Sequence, residues 1–262
     1  MKRQITLIGN RFLNFVNYIG GTTMLFIRTV GWVAVPPIKK DHILAQMKKI
    51  GVDSLPIVFL TSLFTGIVLA LQSAYQMQKL QAEMYIASLV ALSMTRELGP
   101  VLTALVVAGR VGASITAELG TMRVTEQIDA LETLATNPIK YLVVPRFLAL
   151  LLMLPVLTIY ADIIGIMGGY IVGVGRLGVS SAMYMRMTWE PLVYKDLFSG
   201  LIKAVCFAVI ICIVACYEGM NAEAGAEGVG KSTTLAVVTS FILIITADCL
   251  ITAIFYFAFQ VR

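Results

Sequence analysis

From Ser54 to Gln78 the chain carries no charged residue, and Leu55 to Tyr75 is almost continuously apolar. As a helix rising about 1.5 Å per residue, that run crosses about 30 Å of hydrocarbon. Four more long apolar stretches follow, at roughly 86–117, 143–174, 196–217 and 233–258. Each of the four has an ionisable residue in its interior, so a filter for charge-free segments finds one span where the pattern holds five. Composition agrees: 13% of the 262 residues are charged and 58% are apolar, against about 25% charged in soluble domains. So few charges cannot cover a water-facing surface. A soluble enzyme, a disordered chain and a secreted disulfide scaffold are excluded. The expected fold is all-α and polytopic, with five transmembrane helices.

Other classes fall away on particular residues. Cys206, Cys212, Cys216 and Cys249 all lie inside apolar runs and read as small hydrophobes. His42 has no second His or Cys nearby in sequence, so no metal is expected. The net charge of +5 includes no basic tract interleaved with aromatics, which argues against nucleic acid and for membrane topology. Arg11, Asn14 and Asn17 interrupt what would be the apolar core of a signal peptide, so the N-terminus is expected to be retained.

Residues 1–52 differ from 53–262, the expected permease domain. Phe12, Phe15, Val16, Ile19, Phe26, Ile27 and Val30 recur at helical spacing, with Asn14, Asn17, Gly20, Gly21, Arg28 and Gly31 between them. The pattern suits a helix lying in the membrane interface; a sixth span over 12–35 is the rival. Pro36-Pro37 ends it, before a basic segment with Lys39, Lys40, Lys48 and Lys49. With the N-terminus cytoplasmic, inner segments hold Lys2, Arg3, Arg11, Arg28, Lys39, Lys40, Lys48, Lys49, Arg123, Lys140, Arg146 and Lys231. Outer segments hold Lys79, Arg176, Arg186, Lys195 and Arg262. Twelve cations against five predict N-terminus in, C-terminus out.

Residues 118–138 form the long inner loop. Thr125 is an N-cap candidate, Ile128, Leu131 and Leu134 (with Ala135) make one apolar face, and Glu126, Asp129 and Glu132 make the other. Asn137-Pro138 stops this short cytoplasmic helix. It either rests on the bilayer or docks on another protein. The inner leaflet is itself negative, which favours docking for an acidic face.

The block from Ala91 to Glu132, with Arg96-Glu97-Leu98-Gly99-Pro100, Gly109-Arg110-Val111-Gly112 and Glu118-Leu119-Gly120-Thr121-Met122-Arg123, resembles the MlaE family. So do Asn137-Pro138 to Pro145-Arg146 and Gly225 to Thr234; the resemblance covers roughly 50–258. These are permease subunits of ABC transporters that move phospholipids with MCE-domain proteins. The resemblance implies a homodimer in the bacterial inner membrane, two cytoplasmic ATPase subunits that hold the ATP and Mg, and a periplasmic MCE-domain partner. It also implies phospholipid transport between inner and outer membranes, with no cofactor in this chain. The coupling helix then falls on Glu126 to Leu134, with Glu126, Gln127, Asp129, Ala130, Glu132 and Thr133 as ATPase-coupling residues. A lipid cavity near the dimer axis is implied as well.

Four ionisable residues share one depth. Arg96 and Glu97, Lys203 and Asp248 each lie about seven to ten residues from the outer ends of their spans, about 10–15 Å down. Facing lipid, each would cost about 2.5–3.5 kcal/mol or more. They are expected to face an interior, as ion pairs locking helices (Lys203 with Glu97, Asp248 with Arg96), as a wet pocket for a phospholipid head group, or as both. Gln72 is a neutral donor at comparable depth. Asp162 has no obvious partner, and Arg110 lies too near the inner end to serve.

Two small-residue rows, Gly165/Gly169/Gly173 and Gly109/Ala113/Ala117, predict close helix contacts, within one subunit or between two. Gly225 to Ser232 matches the phosphate-loop pattern G-x-x-x-x-G-K-S, but a phosphate loop needs a preceding strand. Here spans flank it, so the glycines are expected to turn the chain, with Ser232, Thr233 and Thr234 opening the fifth span. Two other functions stay open: a secondary transporter with a proton relay through Asp162, Glu97 and Asp248, and a passive anchor for a lipid-binding partner.

Overall fold

A computed structural model describes the backbone over residues 2–36, 40–79 and 81–259, and side chains at 13, 16–36, 40–79 and 81–257. The side chains of Lys2, Arg3, Arg11, Phe12, Asn14 and Phe15, and residues Pro37, Lys39 and Arg262, lie outside the described residues. Among the described residues every regular element is helical.

Helix α1 (Lys2–Val33) precedes α2 (Lys40–Ile50), which a short turn joins to α3 (Leu55–Lys79). The second span is one long helix with two π-helical turns in it. It runs α4 (Ile86–Ser93), a π turn (Met94–Leu98), α5 (Gly99–Val107), a second π turn (Ala108–Gly112) and α6 (Ala113–Val124). The short α7 (Gln127–Thr133) follows, then α8 (Val144–Gly175), α9 (Ser181–Trp189), α10 (Tyr194–Met220) and α11 (Ala226–Phe259). Five stretches are long and apolar enough to cross a membrane: Lys40–Lys79, Glu83–Val124, Ile139–Gly175, Tyr194–Met220 and Ala226–Phe257.

Only helices can satisfy their own backbone groups in hydrocarbon, which is why the apolar runs stay helical through their charged positions. Helix α8 forms the centre. Ala149, Leu150, Leu154, Leu157 and Ala161 are fully buried along it, and α3, α5 and α10 pack around it. The outer surface is apolar instead: Phe64, Leu71, Ile163, Ile171, Ile242 and Leu250 are all exposed. The α3–α8 crossing is close enough that a Cβ on Gly66 would run into the main chain of Gly165. In lipid such close backbone approach replaces hydrophobic burial as the source of helix association.

The row Gly165, Gly169, Gly173 makes room for Met94, Val90 and Tyr184 of this same chain, so its use is internal packing. Gly109 faces the ring of Phe241 on α11 at 3.8 Å, also within the chain.

Helix α1 meets the bundle at one end. Tyr18 meets Tyr217 edge-on with ring centres 5.3 Å apart, Phe26 lies 6.4 Å from Phe147, and Lys140 sits over the ring of Trp32. All three partners belong to the end of the bundle that carries α7. Residues 18–32 therefore run across the ends of α8 and α10 rather than along them.

Three local expectations are corrected. Thr125 is not an N-cap: it closes α6, and its hydroxyl donates back to Thr121 O at 2.8 Å. The α7 N-cap position is Glu126 in a left-handed conformation (φ 58°), with no side-chain cap. On the apolar face Ile128 is buried, but Leu134 is 74% exposed, because the helix ends at Thr133 and Leu134 lies past its last turn. The fifth span starts not near Ser232 but at Ala226, so most of the phosphate-loop lookalike is helix. Residues 221–225 turn the chain there, and of the lookalike's glycines only Gly225, at φ 91°, lies in that turn. No strand precedes it among the described residues.

Candidate functional site

Lys203 is among the largest fully buried side chains. Its ammonium donates to Glu97 Oε2 at 2.5 Å, Thr252 Oγ1 at 2.7 Å and the carbonyl of Arg96 at 3.0 Å. The Thr252 hydroxyl donates on to Glu97 Oε1 at 3.2 Å. Three protons thus have three acceptors. Asp248 Oδ1 lies 2.8 Å from the same nitrogen and forms an ion pair with it. The group joins the second span, α10 and α11 at one point.

One residue explains the free carbonyl. Pro100 lacks the N–H that would bond Arg96 O four residues back. The helix widens into the π turn, where Gly99 N reaches back to Met94 O, and Lys203 takes up the orphaned Arg96 oxygen.

Arg96 points elsewhere. Its Nε donates to Asp196 Oδ1 at 2.8 Å, and Asp196 Oδ2 in turn accepts from Val193 N at the start of α10. The expected Arg96–Asp248 pair is therefore corrected. Neighbours on a helix point about 100° apart, so with Glu97 turned to Lys203, Arg96 meets the first turn of α10. The Arg96 side chain is 52% exposed. It borders a cleft of about 380 Å³ also lined by Glu97, Lys195, Asp196, Ser199 and Thr252. Gln72 is exposed on α3 and does not line this cleft, so it is not brought together with the others.

Asp162 lies apart. It is 7% exposed, its Oδ1 has no partner, and Gly99 leaves the space that its carboxylate occupies. It borders a separate, mostly apolar cavity of about 330 Å³ with Thr95, Ile163, Trp189 and Tyr194. Tyr184, wedged against Gly169 and Gly173, is buried on α9, and burial pushes its phenol up to about 12.

At the other end a second network forms. Glu118 accepts from Lys49 at 2.6 Å and from the buried Arg146 at 2.7 Å. Arg110, on the second π turn, donates to Ser54 Oγ at 2.7 Å. Beside it α7 is exposed at Glu126, Gln127, Asp129, Ala130, Glu132 and Thr133, with Arg123 paired to Asp129 at 2.5 Å. Asn137 Oδ1 accepts from Ile139 N and Lys140 N, which ties the loop to the entry of α8.

Shared depth on separate helices found the Lys203 cluster. It missed Asp196 and Thr252. Asp196 was readable as an acid in the first turn of a helix, where carboxylates are favoured. Thr252 gives no sequence signal beyond its one-turn spacing from Asp248.

The chain matches the family model described as Permease MlaE over residues 43–254. It is 49% identical over 249 residues to a probable ABC transporter permease protein of Rickettsia conorii, covering 95% of this chain and 96% of that one. A probable ABC transporter permease protein of Synechocystis is 41% identical, with 80% of each chain covered. The intermembrane phospholipid transport system permease protein MlaE of Haemophilus influenzae is 38% identical, with 93% of this chain and 98% of that one covered. With most of its length matched, and with the five spans the fold requires, the chain belongs to the MlaE permease family.

Proposed function

We propose that this chain is the membrane subunit of an ABC transporter that moves phospholipid between the inner and outer membranes. It lies in the bacterial inner membrane with a cytoplasmic N-terminus and a periplasmic C-terminus, and α1 lies in the inner interface. Two copies pair, two ATPase subunits dock on the exposed acidic α7, and a periplasmic MCE-domain protein meets the opposite face. ATP and Mg belong to the ATPase, and this chain makes and breaks no covalent bond. ATP binding shifts the chain between arrangements because the ATPase holds one of them more tightly.

The observation that carries the reading is the division of labour around the outer π turn. Lys203 is buried and its ammonium is surrounded by Glu97, Asp248, Thr252 and the Arg96 carbonyl, so it acts as a lock between helices. Arg96 is bound only through Nε in the described contacts, and its half-exposed side chain borders the cleft. A guanidinium fork there suits a phosphate, while Glu97 and Asp196 in the same lining suit a positive head-group end.

A proton relay through Asp162, Glu97 and Asp248 is disfavoured. Asp162 borders a different cavity, and no described hydrogen bond links it to the other two.

Transfer of labelled phospholipid in proteoliposomes, with the ATPase and MCE partners present, tests this. Transfer is expected to stop without ATP and to ignore a collapsed proton gradient. Glu97→Lys and Lys203→Glu should each abolish it, and the double exchange should recover part. Normal transfer by both single variants would end the reading.

A further inference from the structure

Arg110 presents an unsolved charge. It lies in the second span near the α7 end, half-buried, on the π turn Ala108–Gly112. Its one described partner is neutral: Nη1 donates to Ser54 Oγ, which donates in turn to Ile50 O at 2.6 Å. No described carboxylate pairs with it. An ionised guanidinium at the edge of hydrocarbon is costly unless an anion meets it.

The surroundings supply more positive charge. Arg110 borders a cavity of about 130 Å³ together with Lys49, Gln46 and Ser114, well above the ~10–15 Å³ that one water needs. Lys49 shares its carboxylate, Glu118, with Arg146, which is 4% exposed and fixed. Among the described contacts three cations, Arg110, Lys49 and Arg146, thus stand against one carboxylate, Glu118. Arg146 continues to neutralise Glu118 if Lys49 turns towards the cavity.

The donors also match in kind. With Nη1 held by Ser54, the rest of the Arg110 fork is available for a bidentate contact. Lys49 adds a point charge and Ser114 a hydroxyl. The Gln46 amide oxygen has no partner, so that amide can turn over and donate its NH2.

We propose that this cavity binds a phosphate group, that of an anionic phospholipid or free phosphate. Its position favours the lipid, because it opens where helix ends meet head groups. Basic pockets between spans on the cytoplasmic side suit anionic lipid heads. Only the assignment to the cytoplasmic leaflet rests on the orientation proposed above.

The full chain is reconstituted in phosphatidylcholine nanodiscs doped with phosphatidylglycerol, and retained lipid is counted by native mass spectrometry. Inorganic phosphate is titrated separately while the melting temperature is followed. The wild-type chain is expected to retain phosphatidylglycerol over phosphatidylcholine by about tenfold. Arg110→Gln should bring the ratio towards one, and Ser114→Leu, which fills the cavity without touching charge, should do the same. Arg123→Gln removes an equal charge outside the cavity and should leave the ratio unchanged. A melting shift with inorganic phosphate that Arg110→Gln abolishes, without lipid selectivity, would identify free phosphate as the ligand. No selectivity and no shift in the wild-type chain would overturn the site. So would equal losses in Arg110→Gln and Arg123→Gln. Neither readout uses ATP, the ATPase or transport, so a failure here leaves the transport reading standing, and the converse holds.

Discussion

The second span contains two π-helical turns, here called outer and inner after the orientation proposed above, and they are furnished differently. The outer one, Met94–Leu98, has a covalent cause in Pro100, and every charge on it is answered. Glu97 and Asp248 face Lys203, and Asp196 faces Arg96: three carboxylates for two cations, drawn from the second span, α10 and α11. The inner one, Ala108–Gly112, contains no proline, and Ala113 N reaches back to Ala108 O. Its one charge, Arg110, has only a serine among its described contacts. π turns mark places where a helix opens to project a side chain. What the projected charge then does depends on the neighbouring helices. Matching carboxylates make a joint, and missing ones leave room for an anion from outside.

The largest test of that contrast is Lys203→Met. It leaves Glu97 and Asp248 facing each other with the cation gone and the Arg96 carbonyl again unbonded. Removing one partner of a buried ion pair costs about 3–5 kcal/mol. The expected outcome is a chain that no longer elutes as a folded species in mild detergent. Arg110→Met, an equal loss of one cation, should fold normally. Similar losses in the two variants would mean that the outer cluster is no more structural than the inner one.

Part of this architecture was readable before any coordinates. Five spans followed from length and hydropathy, because hydrocarbon admits few alternatives. That Glu97, Lys203 and Asp248 meet followed from depth, since one unpaired charge in lipid already costs more than most contacts supply, but the Arg96 guanidinium does not join them. Their pairing did not follow. A π turn shifts side chains by a fraction of a turn, so which partner each of two neighbours such as Arg96 and Glu97 meets is not fixed by depth. Pro100 was visible, but its consequence needed the position of Lys203 on another helix. Gln72 misled because depth says nothing about which way a helix face turns. At α7 the register of the acidic face was readable, whereas the missing Thr125 cap was not: Thr125 was already committed to the helix before it. The inner network was hidden by its ordinary look, since lysines and arginines near span ends are the rule in membrane proteins.

A smaller test addresses the outer joint alone. The Thr252 hydroxyl accepts from Lys203 and donates to Glu97, so Thr252→Val removes two charged hydrogen bonds while keeping the shape. Hydrogen bonds to charged groups are worth about 1.5–3 kcal/mol, and a loss in that range is expected in unfolding from mixed micelles. Lys203 then has a proton free for Asp248, which offsets some of it. No measurable change would mean that the lysine is satisfied by its carboxylates alone.

The smallest expected effect is at the inner turn. Ser54→Ala removes the one described bond to Arg110 and leaves the serine's own acceptor, Ile50 O, to the helix. If the guanidinium were sealed in a dry interior, the loss would equal that at Thr252. It borders an open cavity instead, where water or a phosphate replaces the hydroxyl, so about 0.5–1.5 kcal/mol is expected. The discriminating measurement is the same unfolding experiment with and without phosphatidylglycerol. Added anionic lipid should shrink the deficit of Ser54→Ala more than that of Thr252→Val, because at the inner turn a lipid phosphate takes the place of the lost hydroxyl on Arg110, whereas at the outer one the lost bonds belong to the buried Lys203.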